Sequence, residues 1–379
     1  MIPGNVFAET LLQFFAPIRS YLDDQTVSDI VINGPFQIFV ERRGKLELTP
    51  ARFETGEDLT AALRNVAQFV GKQVDEQRPI LEARLPSGAR LQAVFPPAAP
   101  DGPHVAIRKF PKAALTAARL VDLGALTVLA AQTLHALVAA KLNVVIAGGT
   151  GSGKTSLLNA LSAFIPESER VVVIEDSKEV QLQRPHVVQL EARPPDAKGR
   201  GEVSIRDLFR ATLRMRPDRI VIGEIRGGEA LDIIQAMTSG HGGCLGTLHA
   251  THPRDTLTRL ETMSMMSNID MPLAAMRIQI ASAVNLIVQI ARTRDGSRKV
   301  MNITEVLGFD VVSGTYQMQD LFVREFGGPG AGDAVSSELV PTGVLPACLP
   351  HLREHGVDLP RGLYEHVRAN PASERSTHE

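Results

Sequence analysis

A lysine and a threonine close a run of glycines at Gly148-Gly149-Thr150-Gly151-Ser152-Gly153-Lys154-Thr155, and Ser156 follows. The spacing is G-x-x-x-x-G-K-[ST], and each residue type in it has a physical task. Glycines let the backbone curl until its N–H groups converge on phosphate oxygens. Lys154 brings a point charge to the β- and γ-phosphates, and the Thr155 hydroxyl suits Mg²⁺. Residues 148–156 are therefore expected to bind a nucleoside triphosphate, with Lys154 also taking part in catalysis.

Three further segments carry titratable side chains to the ends of apolar runs. Val171-Val172-Val173-Ile174 ends in Glu175-Asp176. A carboxylate there polarises a water or holds Mg²⁺ through its waters; the plainer role is a solvated acidic loop with a helix cap at Asp176 or Ser177. Arg219-Ile220-Val221-Ile222-Gly223 ends in Glu224, and Arg226 follows. This segment resembles a Walker B strand, although Asp is the usual residue at its acidic end. Glu224 can reach the metal through water or orient the attacking water. The plainer role of Arg226 is a salt bridge to Glu229 or Asp232. Gly240-His241-Gly242-Gly243 leads into a third run that ends in Thr247-Leu248-His249. His249 falls where it could contact the γ-phosphate; His241 is the weaker candidate. The metal side is expected from Thr155, Glu224 and Asp176, and the general base is either Glu175 or Glu224.

These groups need elements to hold them. Residues 143–147 read as a buried strand and residues 155–162 as a helix, so the glycine loop joins a strand to a helix N-terminus, where partial positive charge favours an anion. Strands at 171–174, 187–190, 219–223 and 244–247 alternate with helices at 204–215, 229–239 and 255–266, which implies a parallel sheet. Apolar runs at 286–290 and 302–306 extend it. The fold class is α/β: a RecA-like P-loop core with a smaller α+β domain before it. That first domain, residues 1–110, reads as a helix over 7–22, strands at 27–35, 36–42 and 45–48, a helix over 58–70, and strands at 81–85, 89–94 and 104–109. Residues 111–120 read as a linker, 121–326 as the core, and 327–379 as a Gly-rich linker with a short tail, helical at 346–355.

The chain has 379 residues, 40 basic and 42 acidic, for a net charge of −2. That length suits two domains, and that balance gives no support to a protein that coats nucleic acid. Two cysteines, Cys244 and Cys348, stand in no metal-ligand spacing and suit a reducing compartment. No signal peptide is evident, and the long apolar region 123–147 is broken by Gln132, His135, Lys141 and Asn143, so it makes a poor membrane span.

Together the loop with Lys154, the box Ile174-Glu175-Asp176, the strand ending in Glu224 and the box Thr247-Leu248-His249 resemble the type II/type IV secretion ATPase superfamily over roughly residues 27–326. Leu213-Arg214-Met215-Arg216-Pro217-Asp218-Arg219 is similar to the same family. The resemblance implies a cytoplasmic homohexamer that hydrolyses ATP with Mg²⁺, peripheral at the inner membrane. It further implies action on an inner-membrane platform protein and no need of nucleic acid. It also implies that arginines of the first domain close over the nucleotide; Arg90 and Arg108 are the nearest matches. No four-cysteine metal site is present. The tail at Thr342-Gly343-Val344-Leu345-Pro346 and Gly356-Val357-Asp358-Leu359-Pro360, with Asp320-Leu321-Phe322-Val323, resembles the tight-adherence (Flp/Tad) pilus assembly branch. The compact conjugation ATPases of type IV secretion are the alternative. A RecA-like nucleic-acid motor and a non-hydrolysing nucleotide-binding scaffold are rivals from other classes. Glu175 and Glu224 together argue against the scaffold, and the histidine box argues against the nucleic-acid motor.

Overall fold

The computed structural model describes residues 13–42, 44–110, 115–182, 184–195, 199–327 and 336–369. Contacts divide the chain into two units, Met1–Ala113 and Ala114–Glu379.

In the first unit a 3₁₀ turn (Ala16–Ile18) leads to α1 (Arg19–Asp23). The expected helix over 7–22 lies outside the described residues as far as residue 12. Beyond that it is interrupted at Pro17, which has no N–H to give. β1 (Val27–Asn33), β2 (Gln37–Arg42), β3 (Lys45–Leu48), β4 (Ile80–Arg84), β5 (Arg90–Val94) and β6 (His104–Arg108) form one sheet in the order β3-β2-β1-β6-β5-β4. Alternation along these strands sends Ile30, Ile32, Ile38, Val40, Leu91 and Ile107 into a core shared with Leu59, Leu63 and Val66 of α2 (Gly56–Phe69). α2 starts where the sequence provides a capping box, Thr55 with Asp58.

The second unit begins with α3 (Ala117–Asp122), capped by Thr116, which starts within the stretch the sequence reads as linker, 111–120, and runs two residues past it; residues 111–114 lie outside the described chain. α4 (Val128–Ala139) follows. Then strands and helices alternate: β7 (Val144–Ala147), α5 (Lys154–Ser162), β8 (Val171–Glu175), β9 (Val187–Glu191), α6 (Ile205–Thr212), β10 (Arg219–Ile222), α7 (Glu229–Thr238), β11 (Leu245–Leu248), α8 (Pro253–Met265), α9 (Leu273–Ala283) and β12 (Leu286–Arg292). The nine-stranded sheet runs β15-β14-β13-β12-β7-β11-β10-β8-β9. From β12 to β9 its pairings are parallel, and every residue of β7, β8, β10 and β11 is buried. Strands buried on both faces are what such unbroken apolar runs predict. Their C-terminal ends line up on one edge, because Leu248 pairs with Ala147 and Ile222 with Ile174.

The far side of the sheet departs from the sequence reading. β13 (Arg298–Asp310) and β14 (Thr315–Phe326) make a long antiparallel hairpin, and β15 (Ser337–Pro341) pairs with β14. α10 (Leu349–Glu354) and α11 (Arg361–Ala369) follow. Residues 328–335 of the Gly-rich stretch lie outside the described chain, as do residues 370–379. Leu339, Leu352, Leu359 and Leu363 all enter the core formed by α4, β7 and α5. Arg324, 5% exposed, braces this region by donating to the carbonyls of Val300 (2.7 Å) and Ala125 (2.9 Å) and to Ser337 Oγ (3.1 Å). The tail is thus part of the packed unit, which its polar, Pro/Gly-punctuated sequence hides. Leu363→Ala should lower unfolding stability by about 2–4 kcal/mol, the cost of emptying a core site. A urea titration checks this, and an unchanged midpoint would mean that the tail carries no packing load.

Candidate active site

β7 delivers the glycine loop to the C-terminal edge of the sheet, and α5 takes over at Lys154. Gly153 precedes the helix at φ +97°, with no side-chain cap over the helix N-terminus, so the first-turn amides keep their bias toward an anion. Gly148 is required for space: a Cβ there would run into the Ile290 carbonyl and the Ser152 hydroxyl. Ser152 Oγ donates to the Gly149 carbonyl at 2.8 Å and tightens the loop.

Lys154 is 8% exposed. Its ammonium donates to the carbonyls of Gly148 and Gly149, each at 3.0 Å, and lies 3.4 Å from the ring nitrogens of His249. His249 Nε2 in turn stands 2.6 Å from Glu224 Oε1. That approach is off-axis, since Glu224 Oε1 is buried and accepts no well-formed hydrogen bond. Burial, with the Lys154 charge second, holds the imidazole below its ordinary pKa, so His249 is neutral at pH 7. Lys154 Nζ is equally far from both ring nitrogens, so the neutral ring accepts from it on whichever nitrogen carries no proton. Lys154, His249 and Glu224 thus form a line across the ends of β7, β11 and β10, which are neighbours in the sheet.

Arg226 closes the other side of Glu224. Its guanidinium donates to Glu224 Oε2 through Nε at 2.7 Å and also through Nη2, and Nη1 reaches Asp176 Oδ2 at 2.7 Å. Glu229 meets the Arg226 backbone N–H instead, at 2.8 Å, and Asp232 pairs with Arg206 and Arg210. So the plainer salt bridges read for Arg226 give way to one that joins the two acidic segments.

Glu175, at the end of β8, is 3% exposed. Its Oε1 accepts the backbone N–H groups of Glu179 (2.9 Å) and Val180 (2.8 Å), folding the following loop back over the strand end. That fold places Glu179 where the sequence did not direct attention. Its Oε2 receives the Thr155 hydroxyl at 3.3 Å. The i+4 spacing from Glu175 was the available signal, but only the loop reversal brings the side chain to Thr155.

Nothing in the sequence singles out Arg298 either. It comes from β13, paired opposite Arg292 of β12, and its Nε donates to the Gly151 carbonyl at 3.0 Å. Beside the loop a cavity of ≈ 490 Å³ is lined by Gly149, Thr150, His249, Thr251, Asp255 and Arg259, among others. His241 lies in the turn before β11, at the opposite end of that strand from His249. Arg90 and Arg108 belong to the first unit, directly opposite each other on β5 and β6. Two like charges in register repel, and each is matched by a carboxylate of its own sheet: Arg108 by Asp29 at 3.1 Å, Arg90 by Glu82 at 3.6 Å.

Residues 12–320 match the family described as "Type II/IV secretion system protein". The chain belongs to this family. A Mycobacterium tuberculosis protein named for conjugal transfer is 35% identical over 292 residues, 76% of this chain and 82% of its own. The type IV secretion system protein PtlH of Bordetella pertussis is 34% identical over 313 residues, 76% of this chain and 92% of its own. Among solved structures, the Legionella pneumophila ATPase DotB shares the fold with a TM-score of 0.56 at 23% identity, over 79% of this chain and 82% of that one. As a family member the chain carries a P-loop, RecA-like core behind an α+β unit. Among the described residues no helix is long and apolar enough to cross a membrane.

Burial pushes the Glu175 carboxyl up from 4.5 to about 6, against the pull of its two amides. The folded protein therefore holds this proton more tightly than the unfolded chain does. The stability Glu175 contributes is complete below 4.5 and is lost as pH rises through about 6. Glu175→Gln removes the titration and keeps an acceptor for both N–H groups. Its stability relative to wild type should rise by something on the order of 2 kcal/mol between pH 4.5 and pH 7. Thermal unfolding across that range checks it, and parallel curves for the two proteins would contradict it.

Proposed function

We propose that the protein is an Mg²⁺-dependent ATPase that powers a secretion-type machine. The observation that carries this reading is the line Lys154–His249–Glu224 beside the glycine loop. Residues 148–156 cradle the phosphates, and Lys154 leaves its two carbonyls for the β- and γ-phosphates. Among the described residues no cluster of three or more metal-ligating side chains occurs. That fits an ion held chiefly by phosphate oxygens and waters, with one or two protein groups. Thr155 and Glu179 fit that place, with Asp176 and Glu224 beyond them. Bound there, Mg²⁺ would neutralise charge on the phosphates.

Glu224 is the group best placed to orient the attacking water. Its Oε1 has no well-formed partner, whereas Glu175 Oε1 is held by two backbone amides. Neutral His249 stands where it can donate to the γ-phosphate without repelling Lys154. Arg226 ties Glu224 to Asp176, so that both acidic segments move as one.

Beyond the site, we take the working form to be a homohexamer at the cytoplasmic face of the inner membrane. It acts on a platform protein and needs no nucleic acid. Arg90 and Arg108 would close over the phosphates during turnover, adding charge only in the closed state. The tail motifs favour a tight-adherence (Flp/Tad) pilus system. The names of the relatives favour a second reading, a conjugation or type IV secretion ATPase. Co-purification with pilus platform proteins would support the first, and with mating-pore proteins the second.

Steady-state ATPase assays test the core of the reading. Lys154→Ala should lose nucleotide binding with the fold intact. Glu224→Gln should bind ATP yet turn over roughly 100-fold more slowly, and Glu175→Gln should lose much less. Wild-type turnover by Glu224→Gln would sink the assignment. Strong stimulation by added DNA or RNA would favour a nucleic-acid motor instead.

A further inference from the structure

β12 runs beside β7, with Gln289 level with Ala147, the residue before the glycine loop. Along β12, Leu286, Val288 and Ile290 enter one core and Ile287 the other. Alternation sends Gln289 with Ile287. There the amide is 3% exposed. Its Nε2 donates to the Ala250 carbonyl at 3.0 Å. Ala250 directly follows His249 beyond β11, and β7 lies between β12 and β11. The side chain therefore crosses beneath the start of the loop and ties the two flanking strands together.

Its Oε1 is buried with no hydrogen-bond partner. The amide is nonetheless the right way round, because turning it over would set one carbonyl oxygen against another. A leucine would fill a similar volume, exchanging the unpaired Oε1 for an unpaired Ala250 carbonyl. Packing therefore does not ask for an amide at this position; the bond to Ala250 does. His249 needs such an anchor, because its side chain is 39% exposed and packing alone does not confine the ring.

We infer that Gln289 is a positioning residue for ATP hydrolysis: by holding the Ala250 carbonyl it sets where the His249 ring stands between Lys154 and Glu224. The inference rests on the reading of His249 as part of the hydrolytic line. Gln289 touches neither nucleotide nor water in this role and acts only through its neighbour.

The test is a double-mutant cycle in the full-length protein, using Gln289→Leu, His249→Ala and the pair. Readouts are kcat and KM for ATP, binding of a fluorescent ATP analogue, and the thermal midpoint. Gln289→Leu should lower kcat roughly 10- to 100-fold, the scale of a misplaced group, with analogue affinity and midpoint little changed. In the His249→Ala background the same substitution should cost nothing more. Gln289→Met keeps the length of the side chain but cannot donate to Ala250, so it should be as slow as the leucine variant even if the latter folds poorly. Wild-type kcat in both Gln289 variants would overturn the inference, and so would losses that multiply in the pair while His249→Ala alone is slow. Wild-type kcat for His249→Ala would instead overturn the hydrolytic line, and the inference with it.

Discussion

The ammonium of Lys154 sets the terms for its surroundings. A charge taken largely out of water must be met by acceptors or pay heavily in solvation. Two loop carbonyls and a neutral imidazole meet it here. A protonated His249 at the same distance would repel the lysine, so the depressed pKa of the ring is a condition of the arrangement. Glu224 can then lie on the far side of the ring, close enough to bias its N–H yet separated from the ammonium. A phosphate entering the loop would compete with weak carbonyl partners for Lys154, and its arrival would be registered by His249 and Glu224 through direct contact.

The strand order makes this possible. β7, β11 and β10 are neighbours although they lie far apart in the chain, and their parallel register brings their C-terminal ends to one edge. Fixed hydrogen bonds behind that edge hold the register: Thr247 Oγ1 to the Gly223 carbonyl at 2.5 Å, and Asn143 Nδ2 to the Ala283 carbonyl at 2.7 Å. At the opposite edge Arg219, with its side chain fully buried, pairs with Glu169 and donates to the carbonyls of Gly243 and Ala139. Gly243 must be glycine there, since a Cβ would overlap that guanidinium.

The parts legible in the sequence are those in which one short segment carries both the element and the chemistry. An apolar run ending in Glu175-Asp176, Glu224 or His249 announces a strand and its cargo together. What stayed hidden depends on neighbours distant in sequence. Gln289 sits in an unremarkable apolar run, and only the pairing of β12 with β7 puts it under the loop. Asn143 and Asn285, which meet at 2.8 Å to start those two strands together, are 142 residues apart. Glu179 is hidden by a loop reversal built on Glu175, and β15 by a short polar strand that takes its register from β14. Residues 327–379 read as linker and tail for the same reason: the tail's leucines reveal their packing only once α4 is in place.

A crystal structure of the full-length protein with a non-hydrolysable ATP analogue and Mg²⁺ tests the central claim most directly. The account predicts that Lys154 Nζ leaves the Gly148 and Gly149 carbonyls for the β- and γ-phosphate oxygens, while His249 stays between the γ-phosphate and Glu224. Nucleotide bound with Lys154 still on those carbonyls, or with His249 turned away from Glu224, would contradict it.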